Sequence, residues 1–373
     1  LKFRQGLKMQ KSIRFDRNMQ RIRRILIICF SDTVNVVQGL PILPALRLRF
    51  PHVELAWLTE ESNSPLLNRL PSLDRLIIVK DHCLHSWSEA VRLRKRLQSF
   101  APDITIDLQS RFKSAFSAWI SGASVRIGFG GNDGYEVSRW LNNHLIATDA
   151  EHVVEQNMQL LQPLGIYGSS INFDLFECEI DRHCAQGILN RSGLHGNFAI
   201  MCVGANTDYK LWREERYAEL TGYLSEQWNL PSLVVWSNET ERKFAERVVN
   251  GVDGAAILAP SVTLNEFAAI ARRATIVVGS DSAQLHIAAA VDARCLGLFG
   301  ATDAKRNAPY GENNYSIQKS QNNLSQNKNS RTPMDTIDTK SVCNICDKML
   351  ADILDPPKVV TPTKKSTTGK KVA

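Results

Sequence analysis

The sequence predicts an α/β protein built from two doubly wound parallel sheets, and three observations carry that prediction. Short, nearly continuous runs of β-branched and apolar residues recur along the chain, as expected of strands buried on both faces. Segments with helical spacing of apolar residues separate those runs, which implies crossover connections and parallel pairing. The alternation then starts afresh at residues 198–203, Phe-Ala-Ile-Met-Cys-Val, so the chain holds two such units. Its 373 residues are enough for two cores.

In chain order, residues 1–24 mix bases with Leu, Phe, Met and Ile. They read as a disordered leader or as residues upstream of the true start, with Met19 as a candidate start. A basic amphipathic helix on an anionic membrane is the other reading. Residues 25–168 form the first unit. Its first strand, 25–30, is followed by a polar loop, Ser31 to Asn35, and by an apolar helix over 36–48 with Pro41 in its N-terminal part, where proline does least harm. Further strands are expected at 53–58, 75–79, 104–108 and 125–129, with a helix rich in Arg and Lys at 87–100. No Gly-x-Gly-x-x-Gly follows the first strand, which argues against a dinucleotide-dependent dehydrogenase.

Residues 169–197 read as the connection between units. The second unit, 198–317, alternates strands at 198–203, 232–236, 256–258, 276–278 and 295–300 with helices at 214–227, 239–249, 264–272 and 283–290. Beyond it, 318–340 is rich in Asn, Gln, Ser and Lys and reads as a polar linker. Residues 341–356 suggest a short C-terminal helix, and 357–373 a Lys-rich disordered tail.

The net charge of +7 hints at nucleic acid until it is located. Residues 1–24 contribute +8 (nine Lys/Arg, one Asp) and 358–373 contribute +5 (five Lys), which leaves 25–357 at −6. The body is mildly acidic, and no nucleic-acid partner is expected. Eight cysteines are scattered except for Cys343-Asn-Ile-Cys346, half of a zinc motif with no second pair. No metal site is expected. No apolar run approaches the ~20 residues of a membrane span, and no signal-peptide core opens the chain, so a cytoplasmic protein is expected.

The most informative stretch is Ile276-Val-Val-Gly-Ser-Asp-Ser-Ala-Gln-Leu-His286: a strand, a turn of small polar residues and a helix start. Such a helix N-terminus offers free N–H groups and a positive dipole end to an anion. An ordinary helix cap reads the same way. In this topology Lys210 and Glu241 follow neighbouring strands and converge on the same edge as Asp281, Ser282 and His286.

A longer set of motifs narrows the choice. These are Arg24-Ile-Leu-Ile27 with Gly39-Leu-Pro41, Asp107-Leu-Gln109 with Lys113-Ser114, Arg126-Ile-Gly-Phe129, and Lys210-Leu-Trp212. Asp281-Ser-Ala283 with His286 and Ala288-Ala-Ala290 follows, then Phe299-Gly-Ala-Thr-Asp303 with Pro309-Tyr-Gly311. In order and spacing, from about residue 24 to 311, the chain resembles the lipopolysaccharide heptosyltransferases of glycosyltransferase family 9, of the heptosyltransferase I type. The resemblance implies a GT-B architecture of two Rossmann-like domains facing a cleft. It implies an inverting, metal-independent transfer from a nucleotide sugar, ADP-heptose, to a lipid A–core acceptor, with no cofactor and with peripheral contact at the inner membrane face.

For the donor it implies Lys210 at the diphosphate, Glu241 towards the nucleoside, Val262 near the base and Asp281 at the sugar, with Asn206 also in the donor site. The amides of Ser282 and Ala283, with His286, would hold the phosphates. Ser282 and Ala283 stand where the family has Thr and Gly, and Ala205 and Asn206 where hydroxyls are common. Arg111, Lys113, Arg126 and Arg139 are candidates for an acceptor bearing carboxylates and phosphates.

One departure bears on catalysis. The family has Gly-Asp in the first loop, where an inverting enzyme keeps its general base, and this chain has Val34-Asn35. An amide cannot take that proton at neutral pH. Asp32 is the nearest carboxylate, though its first reading is as a loop cap. Two functions follow: a transferase that is slow or uses a substitute base, and a catalytically silent sugar-nucleotide-binding homologue with a scaffolding or regulatory role.

Overall fold

The computed structural model of the protein describes residues 21–80, 86–131, 137–204, 208–300, 302–318 and 333–354. The first half runs β1 (Arg24–Ile28), α1 (Thr33–Gly39), α2 (Ile42–Arg49), β2 (Glu54–Glu60), α3 (Ser64–Leu67), β3 (Arg75–Val79) and α4 (Trp87–Phe100). It continues through β4 (Ile104–Asp107), α5 (Phe112–Ile120), β5 (Val125–Phe129), α6 (Ser138–Leu141), β6 (His144–Ile146) and α7 (Val153–Gln159). The second half begins with α8 (Glu179–Arg191), β7 (Ala199–Cys202), α9 (Glu214–Trp228), β8 (Ser232–Val235), α10 (Glu239–Asn250), β9 (Ala256–Leu258) and α11 (Leu264–Ala271). It ends with β10 (Ile276–Ser280), α12 (Ala283–Ala290), β11 (Cys295–Phe299), α13 (Ala304–Asn307), β12 (Tyr315–Gln318) and α14 (Thr339–Ala351).

The strands form two six-stranded sheets, ordered β3-β2-β1-β4-β5-β6 and β12-β11-β10-β7-β8-β9. The pairs in both are parallel. Each order reverses direction at a switch point, the place where such sheets leave a crevice at their carboxyl edge. The two-residue strand period explains the layers. Ile25, Ile27 and Cys29 of β1 point into a central core, whereas Leu26, Ile28 and Phe30 point outwards to Leu93, Leu97 and Phe100 of α4 and Ala118 of α5. On the second sheet Ala199, Met201 and Val203 face outwards, against α9, α10 and α14. The central core is shared: it runs from β1 and α1 through α8, α11 and α12 to β7 and β10. The halves meet where α1 lies on α12 and α3 on α11.

Several expectations change. The helix expected over 36–48 is two helices, α1 and α2, broken at Leu40-Pro41, because Pro41 has no N–H to extend the α1 ladder and its φ of −58° suits the start of α2. Val34 lies inside α1 and is not among the positive-φ residues, so a valine replaces glycine there without backbone strain. The connecting stretch 169–197 contains α8, whose Ala185, Ile188 and Leu189 are buried and which packs on α11. The polar stretch 318–340 is not all linker. Among its described residues, Gln318 closes β12, Met334 and Ile337 are buried in the second core, and α14 starts at Thr339. Trp212 donates to the Ile337 carbonyl at 2.9 Å, and Arg213 pairs with Asp335 at 2.5 Å, so this segment is sewn onto α9. Residues 1–20 and 355–373, most of the basic leader and the Lys-rich tail, lie outside the described residues.

Candidate active site

The carboxyl edge of the second sheet builds one wall of the interdomain cleft. At the end of β7, Val203 and Gly204 pass beside the start of α10. Glu241, in the first turn of α10, turns its carboxylate back to accept the Ser237 amide at 2.7 Å, while Asn238 caps the same helix by accepting the Glu241 amide at 3.0 Å. Only a glycine fits opposite that carboxylate: a Cβ on Gly204 would stand 2.5–2.6 Å from both Glu241 oxygens and its carboxyl carbon. Gly204→Ala is therefore expected to push Glu241 off the Ser237 amide and, if Glu241 grips the nucleoside, to weaken nucleotide binding about tenfold or more. Titration calorimetry with ADP reads this directly, and an unchanged Kd removes Glu241 from the nucleoside site.

Asp281 ends the β10 turn and Ser282 caps α12, its Oγ accepting the Leu285 amide at 3.4 Å. Lys210, on a helical turn after the β7 loop, donates to Asp281 Oδ2 at 2.7 Å. From the other side His286 Nε2 stands 3.1 Å from Asp281 Oδ1. Burial pushes the Asp281 carboxyl upwards, but the imidazole and the Lys210 ammonium outweigh it and hold its pKa at about 2. Facing a carboxylate that is ionised throughout the ordinary pH range, Nε2 is the protonated nitrogen of His286. Beneath this cluster the buried Tyr217 hydroxyl donates to the Cys202 carbonyl at 3.2 Å and lies 3.4 Å from Ser280 Oγ, which fixes the β7 and β10 edges to α9.

Beside the cluster opens a cleft of about 570 Å³. Trp236, Val262, Leu264 and Phe267 supply an apolar wall, and Glu241, Ser282 and Gln284 polar groups. Thr33, Ser62 and Pro65 close it from the first half. That mixture suits a flat aromatic base joined to a polar, anionic group. Asn265 crosses between the halves, donating to the Pro65 carbonyl at 3.1 Å. Asn206 lies outside the described residues. His286, only 3% exposed, is spent on Asp281 and does not line the cleft.

On the first half, Asp32 caps α1: its Oδ1 accepts the Asn35 backbone amide at 3.2 Å and the Asn35 side-chain amide at 2.6 Å. Asn35 Nδ2 also donates to Ser31 Oγ at 2.9 Å. Both side chains are exposed at the carboxyl edge. The capping reading of Asp32 is thus seen directly, and the Asn35 amide serves as a donor.

The four basic acceptor candidates take different partners. Lys113 pairs with Glu60 at the end of β2, with its ammonium 4.7 Å from the centre of the Phe30 ring. Arg111 starts α5 at the same edge. Arg139, on α6, donates to the Gly131 carbonyl. Arg126 is the second residue of β5, nearer the opposite edge of the sheet. Its guanidinium donates to the carbonyls of Leu141 and Ala123, each at 2.7 Å, which braces the end of α6 and the turn before β5.

The Asp107-Leu-Gln109 motif also proves to be scaffold. Asp107 is fully buried; its Oδ1 accepts the amides of Gln109 at 3.0 Å and Ser110 at 2.8 Å, and its Oδ2 the Asn142 side chain at 3.0 Å. Burial raises its pKa, against these hydrogen bonds. Gly128 leaves room for that Asn142 amide, which would lie 2.3 Å from a Cβ. The network sets the loop that delivers Arg111 and Lys113. Glu60 was missed because the strand expected at 53–58 ends two residues short of it. Its signal was its position, a carboxylate closing a buried strand.

Among the described residues no three His, Cys, Asp or Glu side chains are grouped to hold a metal. Cys343 and Cys346 are buried against α9, where burial pushes the Cys343 thiol up to about 12, so this pair is part of the packing. No described helix is long and apolar enough to cross a membrane.

Comparison with known proteins accounts for this arrangement. The model of glycosyltransferase family 9 (heptosyltransferase) matches residues 90–337. Lipopolysaccharide heptosyltransferase 1 of Escherichia coli K12 is 25% identical over 312 residues, covering 81% of this chain and 95% of that protein. Lipopolysaccharide heptosyltransferase 3 of the same strain is 23% identical, covering 77% and 88%. Among solved structures, a family 9 glycosyltransferase from Veillonella parvula superposes with a TM-score of 0.78 at 19% identity, over 88% of this chain and 98% of that one. The E. coli heptosyltransferase WaaC with ADP gives 0.71 at 22% identity, over 87% and 99%. The two facing sheets are thus a GT-B architecture, and the chain belongs to glycosyltransferase family 9, the heptosyltransferase family of glycosyltransferases.

Proposed function

We propose that this enzyme moves heptose from ADP-heptose to a lipid-linked inner-core acceptor of lipopolysaccharide, inverting the anomeric carbon and using no metal ion, in the cytoplasm at the inner membrane face. The observation that carries this reading is the Lys210–Asp281–His286 cluster at the N-terminus of α12, beside the half-apolar cleft. A leaving nucleoside diphosphate needs positive charge, and here the Lys210 ammonium and the α12 amides supply it. Val262 and its apolar neighbours suit the base, and Glu241 the ribose hydroxyls. Asp281 meets the sugar, where a fixed negative charge stabilises the oxocarbenium character of the transition state. Arg111 and Lys113 face the acceptor. The two E. coli K12 relatives named above are lipopolysaccharide heptosyltransferases, and the WaaC heptosyltransferase that shares the fold was solved with ADP.

Inversion needs a base to accept the proton of the attacking hydroxyl. Asp32 is the exposed carboxylate of the first loop and takes that role, with Asn35 orienting it through the 2.6 Å hydrogen bond. The test is release of ADP from ADP-heptose with a lipid A–sugar acceptor, followed by anomeric analysis of the product. Turnover with inversion is expected. Tight ADP binding with no product on any such acceptor instead supports the silent, sugar-nucleotide-binding homologue. That second reading is favoured by one observation, the amide of Asn35 where the resemblance calls for a carboxylate.

A further inference from the structure

Helices α4, α5 and α6 lie side by side on the outer face of the first sheet, and their solvent side is unusual. Of the seven tryptophans of the chain, three are more than half exposed, and all three are here: Trp87 at 82%, Trp119 at 51% and Trp140 at 88%. On α5, Phe112, Phe116 and Trp119 recur at i, i+4 and i+7, so one stripe carries them, with ring centres 5.7 and 5.9 Å apart. On α4, Leu93, Leu97 and Phe100 are buried against the sheet, so helical spacing turns Trp87, Val91, Arg94 and Lys95 to solvent.

The charge of this layer is opposite to that of the body. The three helices hold six Lys/Arg against Glu89 alone, a net of +5, within a stretch from 25 to 357 that totals −6. Exposed aromatic rings with interleaved bases match the interface of an anionic bilayer, where Trp settles at headgroup depth and each Lys or Arg gains from the surface potential. A second copy of the same face would meet it with like charge, which disfavours self-association. The stripe also ends, at Phe112, beside Arg111 and Lys113 on the edge that borders the cleft.

We propose that the α4–α6 face docks on the surface of an anionic phospholipid bilayer and so presents the cleft edge at headgroup level. The proposal rests on the reading above for its purpose, since a lipid-linked acceptor is held at such a surface, but its test needs no acceptor. Sedimentation of the full chain with phosphatidylglycerol/phosphatidylethanolamine vesicles, and with phosphatidylcholine vesicles as control, measures it. Binding is expected only to the anionic vesicles. The triple variant Trp87→Ser, Trp119→Ser, Trp140→Ser should lose about tenfold or more in partitioning. Arg94→Glu with Lys95→Glu should lose about 10²-fold. ADP binding, which these positions do not touch, reports that the variants are folded.

Failure of the parent to bind anionic vesicles overturns the proposal. So does undiminished binding of both variants, which assigns any attachment to the basic termini. Binding of single-stranded RNA without vesicles, or lipid-free dimerisation lost in the Trp variant, assigns the face to another partner and also overturns it. A protein that binds vesicles through these residues but never turns over ADP-heptose keeps this proposal and loses the proposed function.

Discussion

Asp281→Asn is expected to lower kcat for sugar transfer by about 10²–10³-fold while ADP binds at least as tightly as before. Two opposing effects of one carboxylate produce this split. On the proposed function its negative charge beside the anomeric carbon stabilises the transition state, and beside the diphosphate it repels the leaving group; it also occupies Lys210. Removing the charge abolishes the first effect and releases the ammonium, only 18% exposed, to the phosphates. Because Asp281 is ionised down to about pH 2, no limb of the pH–rate profile between pH 5 and 8 belongs to it. Lys210→Ala is the matching control and should weaken ADP. Calorimetry and steady-state kinetics together decide the matter: parallel loss of ADP affinity and kcat in Asp281→Asn would restrict this carboxylate to holding the site in shape.

Asn35→Asp is expected to raise kcat by about 10²-fold, within the 10²–10⁴ range that general acid–base catalysis contributes. The structure explains why the gain should be large and also why it need not be complete. Asn35 now donates to Asp32 Oδ1 at 2.6 Å; a second carboxylate in its place puts two like charges on one loop. They then titrate as a pair, with one affinity for protons raised, and a raised carboxylate is a better base at neutral pH. The same change removes the Asn35 donor from Asp32 and Ser31, at a cost to the first turn of α1 of about 1 kcal/mol. The pH dependence of kcat should acquire a new limb in the variant. No gain over a measurably active parent, with Asp32→Asn still active, would exclude both residues as the base.

The double α/β architecture was legible because parallel strands buried on both faces read as unbroken apolar runs, as at β1, β7 and β10. The short edge strands β6 and β12 were not: three or four residues of mixed polarity carry no period. The break at Pro41 was visible but misjudged, since proline starts a helix as readily as it sits in one. The placement of Lys210, Glu241, Asp281 and Ser282 on one sheet edge was legible from their position after successive strands, because parallel topology sends every strand end to the same edge. What that rule cannot supply is partnership. Lys113 paired with Glu60, 53 residues away, and Lys210 paired with Asp281, 71 residues away, are contacts between segments far apart in sequence, and no local pattern encodes them. The same limit hid the role of residues 333–340, whose polar composition conceals Met334 and Ile337 facing α9.

The core that runs unbroken from α1 through α12 has a mechanical consequence. Domains joined by a wet, polar seam can swing apart cheaply, whereas separating these two would bare side chains such as Val36, Leu40, Leu285 and Ile287 at about 25 cal/mol for every Å² exposed. The low-cost motion is therefore one helix sliding over another, a shear rather than a hinge. A change in the register of α1 on α12 would shift the Asp32 loop against the Asp281 turn, so on the proposed function substitutions at that seam are expected to alter turnover without touching a sugar.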